Sequence, residues 1–157
     1  MADLNTEIVM SLSRRVALVT GRGMGIGFNI TKTFAANGAK VYITGRRLDV
    51  LEKAAASVTG VPGSMIPLQM DMTGEEAVKA GAKHIENIDG QLDISSAVFT
   101  GSLHDPDFFA EELAVTDPFQ PESIQNWADI FALNTIAPFF VIRTFQPLLI
   151  KGAGSRP

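Results

Sequence analysis

Short apolar runs alternate with stretches of helical periodicity along most of the chain. Each run lies next to glycine or other turn-forming residues, a pattern that is typical of strands buried in a sheet. Each stretch between the runs repeats apolar residues every three or four positions, as on the buried face of a helix. The predicted strands are residues 16–19, 41–44, 65–69 and 92–99, and the predicted helices are residues 25–37, 48–58, 73–85 and 122–150.

Strands that alternate with helices at this spacing predict parallel pairing and right-handed crossovers. The predicted fold class is therefore α/β, a doubly wound parallel sheet of about four strands. A chain of 157 residues suits one domain, so residues 1–157 are interpreted as a single domain. Thr73 and Glu76 have capping-box spacing and predict the start of the third helix. Pro138 is expected to kink the last helix because it lacks a backbone N–H.

Residues 100–121 interrupt this alternation. They contain Gly101, three prolines and five acidic residues. A segment of this length without regular structure is uncommon inside a compact domain and is usually a lid or a disordered segment. We therefore expect an irregular acidic loop between the fourth strand and the last helix.

Composition excludes several classes of protein. The chain has 17 acidic and 13 basic residues, a net charge of −4, and lacks the basic field that binding to a nucleic-acid backbone requires. It has no cysteine, which excludes disulfides, cysteine–zinc sites and thiol nucleophiles. Neither His84 nor His104 has a second histidine at ligand spacing, so no metal is expected.

The hydropathy pattern also bears on membranes. No apolar run approaches the roughly 20 residues that span a bilayer. The first residues lack the basic and apolar regions of a secretion signal. These observations predict a soluble, cytoplasmic protein that binds no membrane.

The strongest candidate site is the glycine-rich segment from Thr20 to Gly27, between the first strand and the first helix. A phosphate-binding loop takes this position because the helix N-terminus offers unpaired amides and a partial positive charge to an anion. Gly21 permits a tight turn, Gly25 lets the backbone approach a pyrophosphate, and Gly27 lets the helix pack against the strand. The alternative is a flexible glycine turn that binds no ligand.

Several ordered landmarks resemble those of the short-chain dehydrogenase/reductase family. The glycine segment has the spacing Thr-Gly-x-x-x-Gly-x-Gly, and Asp71-Met72-Thr73 follows the third strand where the family commonly has Asp-Val-Thr. Residues 90–94 look like the entry into the family's fourth strand, and residues 127–139 look like the start of its long helix. The resemblance covers residues 14–151. It implies a Rossmann-type fold, incomplete here because the later strands would be missing.

The resemblance implies a nicotinamide dinucleotide cofactor. A ribose 2′-hydroxyl is usually held by an acidic side chain just after the second strand. Here Arg46 and Arg47 stand at that place, and no acid occurs before Asp49. An arginine would hold a 2′-phosphate through charge-assisted hydrogen bonds, so NADP(H) is favoured over NAD. The alternative is that both arginines belong only to a solvated helix start.

Other cofactor contacts are expected from the glycine segment and from the end of the third strand. Arg22 would add a second positive group. By resemblance Asp71 would contact the adenine, and the alternative is a plain turn residue ahead of Thr73. The predicted cofactor-binding residues are Gly21, Arg22, Gly23, Gly25, Ile26, Gly27, Arg46, Arg47, Asp71 and Met72.

The serine, tyrosine and lysine that carry catalysis in the family have no counterparts here. In the family the tyrosine is the general acid/base, the serine holds the substrate oxygen, and the lysine four residues after the tyrosine lowers the tyrosine pKa. The only tyrosine in this chain is Tyr42, inside the second strand, and Arg46 stands four residues after it. The serine would follow a fifth strand beyond Pro157. Of the catalytic group only Asn134 remains, in a supporting role, and its alternative is a core asparagine with a satisfied amide.

The resemblance therefore implies an NADP(H)-dependent oxidoreductase acting on a small-molecule carbonyl or alcohol, present here as a truncated N-terminal cofactor-binding part. The alternatives are a catalytically inactive dinucleotide-binding half-domain and a non-functional fragment. Neither asparagine of the family's Asn-Asn-Ala-Gly segment occurs at residues 94–101, so weaker cofactor affinity is expected. The family's long helix commonly lies at a dimer interface, which predicts a homo-oligomer through residues 122–150.

Overall fold

The computed structural model describes residues 11–21, 25–97 and 124–155 and contains a four-stranded, fully parallel sheet. The strands lie in the order β3-β2-β1-β4. Their bounds are Val16–Thr20 for β1, Lys40–Gly45 for β2, Ser64–Gln69 for β3 and Ile94–Ala97 for β4. The predicted strands are thus confirmed as far as they are described, while residues 98 and 99 and the predicted acidic loop at 100–121 lie outside the described residues.

Helices follow the strands as predicted. They are α1 at Gly25–Ala36, α2 at Leu48–Ala56, α3 at Glu75–Asp89, α4 at Ile124–Phe131 and α5 at Ala137–Gly154, and a π-helical turn at Ala132–Ile136 joins the last two. All five residues of β1 are buried, because this strand lies inside the sheet and has helices on both of its faces.

Alternate residues of β1 enter separate cores on the two faces of the sheet. Val16 and Leu18 pack with residues of α3 and α5, whereas Ala17 and Val19 pack with residues of α1. A third cluster between β2, β3 and α2 includes Leu51. This two-sided packing confirms the doubly wound α/β fold class.

The 4,3,4 spacing of Trp127, Phe131, Asn134 and Pro138 predicts one helical stripe, but the inner side of α5 does not continue it. Its buried residues are Ala137, Val141, Phe145, Leu148 and Gly152. The stripe that begins with Trp127, Phe131 and Asn134 is exposed. The π-helical turn lies between the two parts and shifts the helical phase, since it takes one more residue per turn than an α-helix.

The start of α3 also differs from the sequence prediction. The helix begins at Glu75 with Gly74 as its N-cap, and no side chain caps it. Thr73 instead donates from both its N–H (3.0 Å) and its hydroxyl (2.7 Å) to Oδ1 of Asp71. The capping-box prediction is wrong because the aspartate two residues earlier draws Thr73 into a local turn.

The helical stretch formed by α4, the π-helical turn and α5 is longer and more apolar than any uninterrupted apolar run in the sequence. Residues Trp127–Gly154 form one helical stretch of 28 residues, and an 18-residue window within it has a mean hydropathy of 1.3, enough by length and composition alone to cross a membrane. The inner residues of α5 nevertheless belong to the core above the sheet. Only 22% of that window is buried, so packing against the sheet accounts for the inner residues of the stretch alone.

A partly buried polar network ties the amino end of β2 to the end of α3. The hydroxyl of Tyr42 donates to Oδ2 of Asp89 at 2.6 Å, and the ammonium of Lys40 donates to both oxygens of the same carboxylate at 2.8 and 2.9 Å. Burial and the hydrogen bond to Asp89 raise the pKa of Tyr42. Burial by itself would lower the pKa of Lys40, but its bonds to Asp89 and Tyr42 raise it overall.

We expect Tyr42→Phe to lower stability at neutral pH and to flatten its decline in alkali. A hydrogen bond to a charged group contributes about 1.5–3 kcal/mol, which the substitution removes. Because the folded pKa values of Tyr42 and Lys40 are raised, their contribution is complete below about pH 10, the ordinary pKa of both side chains, and is lost as the pH rises through the folded values. Urea unfolding across alkaline pH measures both effects.

The absorbance of tyrosinate reports this group alone, since the chain has one tyrosine. The native protein should form tyrosinate at a higher pH than the urea-unfolded protein. Equal midpoints in the two states would contradict the proposed role of the network.

Candidate functional site

The carboxyl ends of β1, β2 and β3 meet along one edge of the sheet. Thr20 at the end of β1 is paired with Thr44 of β2 and Ala97 of β4. The N–H of Gly21 donates to the carbonyl of Thr44 at 3.0 Å. The N–H of Met70 donates in the same way to the carbonyl of Gly45 at 3.0 Å. The chain passes from β1 outward to β2 and β3 and then places β4 on the other side of β1, so the topological switch point lies between β1 and β4. Doubly wound folds bind ligands at this point.

Gly21, Gly25 and Gly27 of the predicted phosphate loop lie at this edge, and the structure describes their surroundings. A Cβ at Gly21 would lie 3.4 Å from the Cα of Gly27, so the loop and the first turn of α1 are in close contact. Gly25 has φ +62°, and a Cβ there would meet no atom of the described residues within 4 Å. The described part of the chain therefore leaves the backbone at Gly25 open at the start of α1. Arg22 and Gly23 lie outside the described residues.

The surroundings of α1 favour an anion at its start. Its first turn carries no acidic residue that would cancel the partial positive charge of the helix N-terminus. Ile26 is 59% exposed there, although it is a large apolar residue. The Thr20 hydroxyl is buried and has no hydrogen-bond partner within the described ranges. Such a group is costly to leave unpaired, and it marks this edge as a place for further contacts.

Two exposed arginines follow β2 at the same edge. Arg47 is the N-cap residue of α2, and its guanidinium lies 3.8 Å from the carboxylate of Asp49. The carbonyl of Arg46 accepts a hydrogen bond from the side-chain amide of Gln69 at 2.9 Å. Gln69, the last residue of β3, thus links the two strand ends. Sequence reasoning missed it, because only the pairing of β2 with β3 brings the two residues together.

Asp71 and Met72 follow β3 and differ in their surroundings. Oδ1 of Asp71 accepts two hydrogen bonds from Thr73. Asp71 therefore forms the turn ahead of Thr73 that was given as the alternative to a contact with the adenine. Oδ2 of Asp71 has no bond given to it by the described residues, and the residue is half-buried. Met72 is partly buried and packs against the core on the α3–α5 side.

Asn134 lies in the π-helical turn, not at the strand ends. Its side-chain amide donates to the carbonyl of Ile130 at 3.0 Å, so the amide has the partner that the sequence led us to expect. The residue is exposed, however, rather than buried in an apolar stripe. Tyr42 is likewise not part of this edge, since its hydroxyl is bonded to Asp89 at the amino-end side of the sheet.

The described residues contain no cluster of three or more histidine, aspartate or glutamate side chains able to hold a metal ion. What the described part of this edge assembles is Gly21 and Gly25, the N-terminus of α1 and two arginines. This set suits a ligand that carries several phosphates.

Comparison with known proteins agrees with this geometry. The family model for short chain dehydrogenases matches residues 15–156. The short-chain dehydrogenase/reductase VdtF of Byssochlamys spectabilis is 33% identical over 156 residues, covering 95% of this chain and 50% of its own. A fatty acyl-CoA reductase of Mycobacterium tuberculosis is 32% identical over 149 residues, covering 92% and 46%. The chain thus spans about half the length of the curated relatives it matches.

Solved structures show the same fold. A hydroxysteroid dehydrogenase from Escherichia coli superposes with a TM-score of 0.75 at 23% identity, covering 94% of this chain and 57% of its own. A metagenomic short-chain oxidoreductase in complex with NADP superposes with a TM-score of 0.70 at 25% identity, covering 89% and 58%.

Proposed function

Because the chain belongs to the short-chain dehydrogenase family, we propose that it forms the NADP(H)-binding part of an oxidoreductase that acts on a small-molecule carbonyl or alcohol. The observation that carries this proposal is the joint position of the glycine turn and of Arg46 and Arg47 at neighbouring strand ends. The proposal is supported by the NADP complex of the metagenomic relative.

The residues present fit this cofactor. The open space at Gly25 leaves room for a pyrophosphate against the backbone, and the N-terminus of α1 attracts its charge. Arg46 and Arg47 would bind the 2′-phosphate through their guanidinium groups. An acidic side chain at this position would repel that phosphate. Arg22 would add a further positive group. Ile26 and Met72 would provide apolar contacts to the cofactor, and Oδ2 of Asp71 would contact the adenine.

When bound, the nicotinamide supplies or accepts a hydride. The residues of this chain bind the dinucleotide and orient it along the strand ends. Asn134, bonded to Ile130, supports the shape of the π-helical turn. The sequence has no tyrosine followed four residues later by a lysine, and its one tyrosine donates to Asp89 at the opposite edge, so the described residues at the strand ends bind the cofactor and do not include such a proton donor.

The outer face of α4 and α5 supports a homo-oligomer as the assembly state. Trp127, Phe131, Phe139, Phe140 and Ile150 are each more than half exposed on it. Large apolar side chains that are exposed in such number are typical of an interaction site.

The replacement Arg46→Ala tests the cofactor assignment. We expect the affinity for NADPH to fall about 10- to 100-fold, because a charge-assisted hydrogen bond contributes about 1.5–3 kcal/mol. The affinity for NADH should change little, since it lacks the 2′-phosphate. Thermal shift and quenching of Trp127 fluorescence measure both.

Arg143→Ala removes an exposed arginine on α5 and serves as the matched control. It should leave both affinities unchanged. An equal loss of NADPH and NADH binding on Arg46→Ala would contradict a role in 2′-phosphate recognition, and failure of the unmodified chain to bind either dinucleotide would reject the proposed function.

A further inference from the structure

A second groove opens at the amino ends of β1, β2 and β3, on the edge opposite to the glycine turn. Its volume is about 350 Å³, at the lower end of the about 300–1,000 Å³ typical of small-molecule sites. Because β1 has five residues at about 3.3 Å each, the two edges are about 15 Å apart. The polar and charged side chains that line the groove are Arg14, Arg15, Lys40, Ser64 and Asp89.

Among the described residues Arg14 is the one cation of the groove without an ion pair, although the chain as a whole is acidic. Of the other two cations, Arg15 is paired with the buried carboxylate of Asp93 and Lys40 with the carboxylate of Asp89. This carboxylate accepts two hydrogen bonds from Lys40 and one from Tyr42, so its charge is already compensated. It therefore offers little repulsion to an anion in the groove.

Arg14 and Arg15 have N–H groups that make no hydrogen bond to the described residues. One nitrogen of Arg15, Nη1, lies 2.9 Å from Oδ1 of the buried Asp93, and the remaining N–H groups of the guanidinium are not used by that bond. Arg14 has no ion pair with any residue in the described ranges. The hydroxyl of Ser64 adds one more exposed donor.

The backbone at Arg14 places both arginines on the same groove. Successive residues of an extended chain point to opposite sides. Arg14 has φ +64°, and among the described residues it is the one non-glycine with positive φ. A non-glycine residue in the left-handed region is strained, and such strain tends to occur at functional positions. Glycine would relieve it, yet the sequence has an arginine here.

We propose that this groove binds a small phosphate monoester, with the phosphate held between Arg14 and Arg15. Guanidinium groups match the geometry of phosphate oxygens in paired hydrogen bonds. Val16 and Pro62 supply only a small apolar wall, which suits a short organic group rather than a nucleotide. The site is independent of the nucleotide edge and does not rest on the function proposed for it.

Calorimetric titration of the whole chain tests the site, with glycerol 3-phosphate, inorganic phosphate and succinate as probes. We expect glycerol 3-phosphate to bind, inorganic phosphate to bind more weakly, and succinate to bind at least tenfold more weakly than glycerol 3-phosphate. Arg14→Gly should weaken glycerol 3-phosphate binding at least tenfold. Arg46→Ala, at the opposite edge, should leave that binding unchanged and so excludes the nucleotide site as its location.

Arg14→Gly also separates binding from folding. Without ligand this variant should melt at the same or a higher temperature, because glycine accepts φ +64° without strain. A lower melting temperature would assign the strained arginine to structure and overturn the proposal. The proposal is equally overturned if Arg14→Gly binds glycerol 3-phosphate like the original chain, if Arg46→Ala abolishes that binding, or if succinate binds as tightly.

Discussion

Gly152→Ala is expected to destabilise the fold more than any exposed substitution on α5. Gly152 lies on the buried side of the helix, where its backbone contacts the backbone of the chain just before β4. A Cβ at this position would overlap the carbonyl group of Leu92 and lie 3.2 Å from the Cα of Asp93. Neither neighbour is a flexible side chain, so the helix must move away from the sheet.

Overpacking of this kind costs about 1–3 kcal/mol, which lowers the melting temperature of a chain of this size by about 2–12 °C. Gly154→Ala is the matched control, because it lies two residues later on the same helix and a Cβ there meets nothing within 4 Å. It should leave stability unchanged or raise it by up to about 1 kcal/mol. Equal melting temperatures for the two variants would contradict the close packing of α5 on Leu92.

Gly25→Ala is expected to weaken dinucleotide binding by at least about tenfold, or about 1.4 kcal/mol. The added Cβ would occupy the space in which the proposed pyrophosphate approaches the backbone. An alanine is also strained at φ +62°, so the effect on folding has to be measured separately.

Gly90→Ala controls for this strain. Gly90 ends α3 with φ +70°, and a Cβ there also meets nothing within 4 Å. Both variants should lose a similar amount of stability in thermal unfolding, but Gly90→Ala should bind NADPH like the original chain. If Gly25→Ala also binds NADPH normally, the glycine turn is only a connection between β1 and α1.

The strands of the sheet could be predicted from the sequence because each is marked by residues that are close together along the chain. The strands predicted at 16–19, 41–44 and 65–69 are apolar runs next to turn residues, and each lies within one or two residues of the observed strand. The long last helix was harder. A 4,3,4 spacing describes an α-helix, but the π-helical turn adds a residue and rotates the earlier stripe away from the side that α5 buries.

The candidate site likewise has residues that the sequence predicts and residues that it does not. The glycine segment and the arginines after β2 follow from residue type and position alone. Gln69 could not be predicted, because its bond to the carbonyl of Arg46 joins residues 23 positions apart. The same holds for Tyr42 and Asp89, which are 47 positions apart. Contacts of this kind depend on strand order and register, which a single sequence does not fix residue by residue.

The position of β1 between two neighbouring strands affects the entropy cost of binding a ligand at its carboxyl end. Its amides are bonded into the ladder from both neighbours, so they should be among the slowest in the molecule to exchange with solvent. Gly21 extends directly from this strand and is held to the next one. The attachment point of the turn is thus preorganised, and little conformational entropy there remains to be lost when an anion arrives.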